Sequence, residues 1–150
     1  MKRINEYRKL FNAESESTLK ELKTTYRNLV KDWHPDKFQE GDEKAAEAEI
    51  MSRKIIDGYD FLVSIAPETK AANLESYTET INTSGIDDYH HKSQLLQITF
   101  LDGSTYEYFG VNRNLFAKFN YAEKQMRFAK RNIFNSFLYR KSKKTIEQEA

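Results

Sequence analysis

Between Thr18 and Trp33 the apolar residues Leu19, Leu22, Tyr26, Leu29, Val30 and Trp33 recur at steps of three and four, and Pro35 closes the run. That spacing lays one apolar stripe along a helix, whereas a half-buried strand would need a period of two. Thr18 and Glu21 are placed to form a capping box that satisfies amides left unpaired in the first turn. Pro35 disfavours helical geometry at His34, and the polar stretch Gln39, Glu40, Gly41 and Asp42 reads as a loop. A second helix over 43–65 puts Ala48, Met51, Ile55, Tyr59 and Leu62 on one face before Ala66 and Pro67 stop it. The two helices predict an antiparallel hairpin. Short helices near Tyr7–Phe11 and from Pro67 to about Asn73 would close a small bundle, with Pro67 at a first helical position.

The pattern then changes. Asn73 to Asn82 is polar and aperiodic, which places a boundary there: residues 1–76 form one domain, 77–82 a linker and 83–150 a second domain. In the second domain Leu96, Ile98 and Phe100 alternate with polar residues, Asp102-Gly103 supplies a turn, and Ser104 to Val111 resumes in β-favouring residues. A further strand is expected around Ile86 to Tyr89. From Leu115 to Leu138 the chain reads as mostly helical, with Phe119, Ala122, Met126, Ala129, Ile133 and Phe137 on one face.

Composition excludes several classes of chemistry. There is no Cys among the 150 residues, which removes disulfides, thiolate nucleophiles and Cys-based zinc sites and fits a reducing compartment. No segment approaches the roughly 20 apolar residues of a membrane span, and Met1 to Lys20 holds no unbroken apolar run. A cytoplasmic, non-exported protein with no membrane partner is the expectation. Adjacent His90 and His91, near Asp87 and Asp88, read as an exposed turn and not as a metal site; no metal or other cofactor is expected.

The loop between the long helices carries His34, Pro35 and Asp36, flanked by Tyr26 and Arg27 upstream, Trp33 before the His and Lys37 after the Asp. Pro67, Glu68, Lys70, Ala71 and Ala72 follow the second helix. In these residues the first half of the chain resembles the J-domain family, whose signature is that tripeptide in that loop. The resemblance implies a co-chaperone that docks on a DnaK-class ATPase chaperone and stimulates its ATP hydrolysis, with His34, Pro35, Asp36, Lys23, Tyr26, Arg27 and Lys31 as the docking residues. The physics suits a docking point: Pro35 fixes a backbone torsion, lowering the entropy lost on binding, and Asp36 offers a carboxylate to an arginine fork. Lys20, Lys23, Arg27 and Lys31 form a basic stripe opposite Leu22 and Leu29, suited to steering onto an acidic surface. The sequence departs from the family at Asn28 and Asp32, where many members carry Lys or Arg. No nucleophile or pocket-forming pattern accompanies His34 and Asp36, so no catalytic residue and no enzyme is expected. Without zinc repeats or a Gly/Phe-rich segment, the chain reads as a minimal or specialised co-chaperone whose client is unknown.

Thr83, Ser84, Ile86, the Leu96 to Phe100 strand, Asp102-Gly103, Tyr106-Glu107-Tyr108, Val111, Phe119, Ala122 and Ile133 resemble the small KTSC domain. That family occurs alone in bacteria and at the end of some lysyl-tRNA synthetases. Lys124, Gln125 and Met126 stand where the family tends to carry small residues. Two registers are open for its Tyr-x-Tyr. A two-residue turn at Asp102-Gly103 leaves Tyr106 and Tyr108 opposite Ile98 and Phe100 as stacking platforms for bases. A three-residue loop, Leu101 to Gly103, pairs Ile98 with Tyr106 and sends both tyrosines into the core. Residues 113–144 hold ten Lys/Arg against Glu123 alone, a local charge of +9 that suits phosphate. The nucleic-acid candidates are therefore Tyr106, Tyr108, Lys124, Arg127 and Arg131.

The expected architecture is an all-α J domain, an antiparallel helical hairpin with two short helices, followed by a small α+β domain made of an antiparallel β-meander plus a C-terminal helix. The expected function is chaperone stimulation with the second domain as a targeting or binding module. The alternative is an RNA-binding or assembly adaptor whose J domain is weakly active or inactive.

Overall fold

The computed structural model describes residues 2–38 and 43–142. The predicted loop at Gln39–Asp42, and Lys143 and Lys144 of the basic run, lie outside the described residues. The described residues divide into two compact units, one over 2–71 and one over 72–142.

In the first unit, α1 (Lys2–Phe11) starts five residues before the short helix expected near Tyr7–Phe11. Helix α2 (Leu19–Asp32) begins at Thr18, whose hydroxyl accepts from the Glu21 amide at 3.1 Å while the Glu21 carboxylate accepts from the Thr18 amide at 3.3 Å. This is the predicted capping box, and it anchors the helix start. Helix α3 (Glu43–Ile65) runs antiparallel to α2: Tyr26 stacks on Tyr59 at 4.3 Å, and the Ser52 hydroxyl donates to the Trp33 carbonyl at 3.1 Å. Leu22, Ile55, Phe61, Leu62, Ile4 and Phe11 are buried between the three helices. Gly58 makes the close approach of α1 possible. A Cβ there would stand 2.9 Å from Tyr7 Cδ1 and 3.2 Å from Phe11 Cε1, nearer than packed atoms sit. Arg3 lies over the Phe61 ring at 4.4 Å, a cation–π contact that closes the α1 edge of this core.

Helix α4 (Pro67–Thr83) corrects the predicted linker. Residues 77–82 are helical, and Tyr77, Thr80 and Ile81 are buried. Their i, i+3, i+4 spacing is a helical face only one turn long, too short to stand out against the polar residues around it. The short helix expected to end near Asn73 therefore continues for ten more residues.

The second unit is a four-stranded antiparallel sheet in the order β1 (Ile86–Lys92), β2 (Leu95–Phe100), β3 (Thr105–Phe109), β4 (Leu138–Lys141). Helices α5 (Arg113–Asn120) and α6 (Gln125–Asn132) intervene before β4. The single long helix expected over 115–138 is thus two short ones with a corner between them, and the last described element is a strand and not a helix. Pairing β4 to β3 converts β3 from an edge into an interior strand and satisfies its second row of backbone groups. One sheet face carries Leu96, Ile98, Phe100, Tyr106, Tyr108 and Tyr139 against Tyr77 and Ile81 of α4, Phe119 of α5, and Ala129, Ile133 and Phe134. On the other face Arg140 Nε donates to Glu107 Oε1 at 2.7 Å across the β3–β4 pair. Both side chains are about nine-tenths buried, so each charge depends on the other for the solvation it has lost.

If residues 77–82 belong to this core, Tyr77→Ala should destabilise the second unit by about 3–5 kcal/mol in urea denaturation followed by near-ultraviolet circular dichroism. Thr78→Ala, on the exposed side of the same helix, should change it by less than about 0.5 kcal/mol.

Candidate docking loop and basic surface

Of the predicted docking residues, Lys23, Arg27 and Lys31 are all exposed on α2, as is Lys20, on the face away from buried Leu22. Tyr26 is different. Its stack on Tyr59 leaves it half-buried, so it joins the hairpin while showing one edge beside the basic stripe. Asn28 and Asp32, the two departures from the basic stripe of the resembled family, are exposed on the same helix.

At the end of α2 the Trp33 amide donates to the Leu29 carbonyl, and Trp33 stacks on Phe38 at 6.2 Å. The chain then turns through one 3-10 turn, Pro35–Lys37, closed by the Lys37 amide on the His34 carbonyl at 3.0 Å. Inside it the Asp36 amide donates to His34 Nδ1 at 3.2 Å, which leaves Nε2 carrying the ring proton when the imidazole is neutral. His34 Nδ1 and Asp36 Oδ2 are 3.5 Å apart, with the His side chain half exposed and that of Asp36 almost fully so. The loop fixes the tripeptide backbone through its own hydrogen bonds while both polar side chains face solvent. Such an arrangement can contact a partner.

In the second unit the hairpin decides between the two registers. Ile98 pairs with Tyr106 and Leu96 with Tyr108, so the loop has three residues. Gly103, at φ 90°, sits in the left-handed region that only glycine enters without strain. Asp102 pins the turn: its carboxylate accepts from the Ser104 amide and hydroxyl at 2.9 and 2.6 Å and from the Thr80 hydroxyl at 2.8 Å. Burial raises the Asp102 pKa, but those hydrogen bonds and the charge of Lys141 outweigh it and hold the carboxyl below its ordinary range.

The reading of Tyr106 and Tyr108 as base-stacking platforms is therefore wrong. Both are fully buried, and the physical reason is the register: one residue more in the loop turns every β3 side chain to the other face. The Tyr77 and Tyr108 hydroxyls are 3.0 Å apart, and the Tyr77 hydroxyl donates to the Phe134 carbonyl at 2.7 Å. Tyr139 stacks on Tyr77 at 4.0 Å. The Tyr106 hydroxyl is buried with no partner among the described residues. Desolvation pushes Tyr77, Tyr106 and Tyr108 up from the ordinary tyrosine value, and burial beside Tyr106 pushes Tyr139 up to about 12.

His90 and His91 lie on strand β1 and not in a turn. His91 is half-buried, with Nε2 2.7 Å from the Val111 carbonyl and its ring stacked on Phe116 at 4.4 Å. His90 is exposed beside Asp88 at 3.2 Å. Among the described residues no group of three metal-ligating side chains forms, and no helix is long and apolar enough to cross a membrane.

The basic candidates Lys124, Arg127 and Arg131 are exposed. Arg127 and Arg131 fall one turn apart on α6, and Lys124 is its N-cap residue, so the i, i+3, i+7 spacing sets the three along one face. Arg140 leaves the basic group, since it is buried against Glu107. At the corner between α5 and α6 stands a residue that the sequence reading passed over. Tyr121, the C-cap of α5, is 83% exposed. Its isolation between two polar helices was the available signal.

The fold and its core thus define a small helix-backed antiparallel sheet domain following a helical hairpin unit. Residues 82–137 match the family model of the KTSC domain. The match begins after Tyr77 and Ile81 and stops before β4, both of which complete the core. No curated protein matches the chain.

The tyrosine cluster yields an alkaline signature. A group whose folded pKa is raised contributes stability that is intact below its unfolded value, about 10 for tyrosine, and is lost as pH rises through the folded values. The second unit should hold through pH 10 and then unfold cooperatively, with several tyrosinates appearing together in absorbance at alkaline pH. Tyr106→Phe, which removes an unpartnered hydroxyl, should leave stability unchanged or raise it by up to about 1–3 kcal/mol. Tyr77→Phe should lower it by a similar amount, because the Tyr108 hydroxyl and Phe134 carbonyl lose their partner.

Proposed function

We propose that this protein is a J-type co-chaperone: the first unit docks on a DnaK-class ATPase chaperone and stimulates its ATP hydrolysis, and the second unit is a targeting or binding module. One observation carries the reading. His34, Pro35 and Asp36 form a self-hydrogen-bonded turn that joins two antiparallel helices, with the polar side chains of His34 and Asp36 in solvent beside the exposed cations Lys23, Arg27 and Lys31. A preformed turn loses little entropy on docking, and a cationic stripe accelerates encounter with an acidic surface. The role is that of a ligand for the partner's own catalytic machinery, so this chain supplies contacts and no reacting group. Asn28 and Asp32 reduce the charge of the stripe, and since exposed pairs contribute roughly 0.2–1 kcal/mol each, they lower docking strength by a few-fold and favour a partner with a matching surface.

A second reading is supported by the exposed cations of α5 and α6. In it the protein is an RNA-binding or assembly adaptor whose first unit is weakly active or inactive, and its binding residues are Lys124, Arg127 and Arg131 together with their neighbours.

Single-turnover ATP hydrolysis by a DnaK-class chaperone separates the two readings. The co-chaperone reading expects acceleration by the wild-type protein and its loss in His34→Gln, whose exposed position leaves the hairpin folded. Absence of stimulation by the wild type, with the cognate chaperone, would overturn it in favour of the adaptor.

A further inference from the structure

We infer that the α5–α6 corner is a binding site for single-stranded nucleic acid, with Tyr121 as the platform on which a base stacks and Lys118, Lys124, Arg127 and Arg131 as its phosphate contacts. This rests on the adaptor reading's premise that the second unit binds nucleic acid, and it moves the aromatic part of the site from the Tyr106-Tyr108 pair to Tyr121.

Tyr121 is the most exposed large hydrophobic side chain among the described residues. A tyrosine ring left in water contributes little to folding, so packing does not account for its presence. Its backbone, by contrast, is held firmly. The Tyr121 amide donates to the Ala117 carbonyl at 3.1 Å, and the Ala122 amide donates to the Phe119 carbonyl at 3.2 Å. The Tyr89 hydroxyl donates to Asn120 Oδ1, and Gln125 Nε2 donates to that same hydroxyl at 3.0 Å. Below them Phe119 is fully buried against the Tyr89 ring at 4.9 Å. The corner is therefore braced from inside while the ring points out, so stacking a base there orders few protein groups.

The charges around the ring have the sign and spacing for a phosphate backbone. Lys118 precedes Tyr121 by three residues on α5 and is exposed on the same side. From Lys124 to Arg131 the cations run about 10 Å along α6, a row long enough to meet more than one phosphate of an extended strand. Glu123 is the one acidic residue over 113–142, and it is exposed next to Lys124. A duplex hides its base faces in its own stack, whereas a single strand offers them to an aromatic side chain at every position. The combination of one exposed ring on a braced backbone and a row of cations thus selects for the single strand.

Fluorescence anisotropy with the full chain tests the site, using a labelled uridine-rich RNA, the same RNA annealed to its complement, and poly-glutamate as competitor. The single strand should bind in preference to the duplex, with a log–log salt slope of about −2 to −3 for four neutralised phosphates. Tyr121→Ala should weaken binding at least about five-fold with the slope unchanged, and Tyr121→Phe should restore it. Arg127→Ala should make the slope shallower by about 0.7. Equal binding of duplex and single strand, with no effect of Tyr121→Ala, would overturn the stacking site while leaving nucleic-acid binding by the unit standing. Displacement by poly-glutamate at matched charge would assign the surface to an acidic protein and overturn the inference. Absence of binding to either RNA at low salt would remove both this site and the nucleic-acid reading beneath it.

Discussion

The three-residue loop Leu101–Gly103 governs the second unit, because a β-strand shows alternate faces and its register decides which residues are inside. Gly103 in the left-handed region closes the turn, and Asp102, gripped by Ser104 and Thr80, ties it to α4. With that register Tyr106 and Tyr108 face inward, where they meet Tyr77, and α4 is drawn into the core as a full member. The same alternation places Glu107 on the opposite face opposite Arg140, whose pairing adds β4 to the sheet. A slip of one residue would exchange the tyrosines for Thr105, Glu107 and Phe109 and leave a charge among aromatic rings.

The register also settles which groups remain exposed. With two tyrosines and one arginine committed to structure, most of the exposed cations among the described residues of this unit, and the exposed Tyr121, stand on α5, α6 and the corner between them, while Lys92 and Lys141 are exposed on β1 and β4. Sheet and helices thus divide the work: buried rings supply stability, and the braced corner presents one ring and several cations. The first unit follows the same logic by different means. Tyr26, Tyr59, Phe61 and Gly58 hold three helices close together, and the His34 and Asp36 side chains of the turn stay in solvent outside that core.

The helical hairpin was legible in the sequence because its apolar stripes run for four turns or more and are bounded by a capping box and by prolines, signals that are local. The His34 loop was legible for the same reason. The second unit was legible as a mixture of strands and helices, but its details were not. Tyr77 and Ile81 span only one turn and gain a reason to be helical when Tyr108 and Phe134 meet them. Residues 115–138 keep a helical period across a corner that is set by Tyr89, Asn120 and Gln125, residues brought together from 36 positions apart.

By itself, then, the sequence determined the helical hairpin of the first unit, the loop that carries His34 and Asp36, the β2–β3 hairpin and the basic character of the C-terminal half, since each depends on neighbours within a few residues. Only the tertiary structure decided the direction of Tyr106 and Tyr108, the recruitment of α4, the return of β4 and the exposure of Tyr121. Those outcomes depend on which distant side chain fills the facing space, and a spacing pattern along one chain carries no record of it.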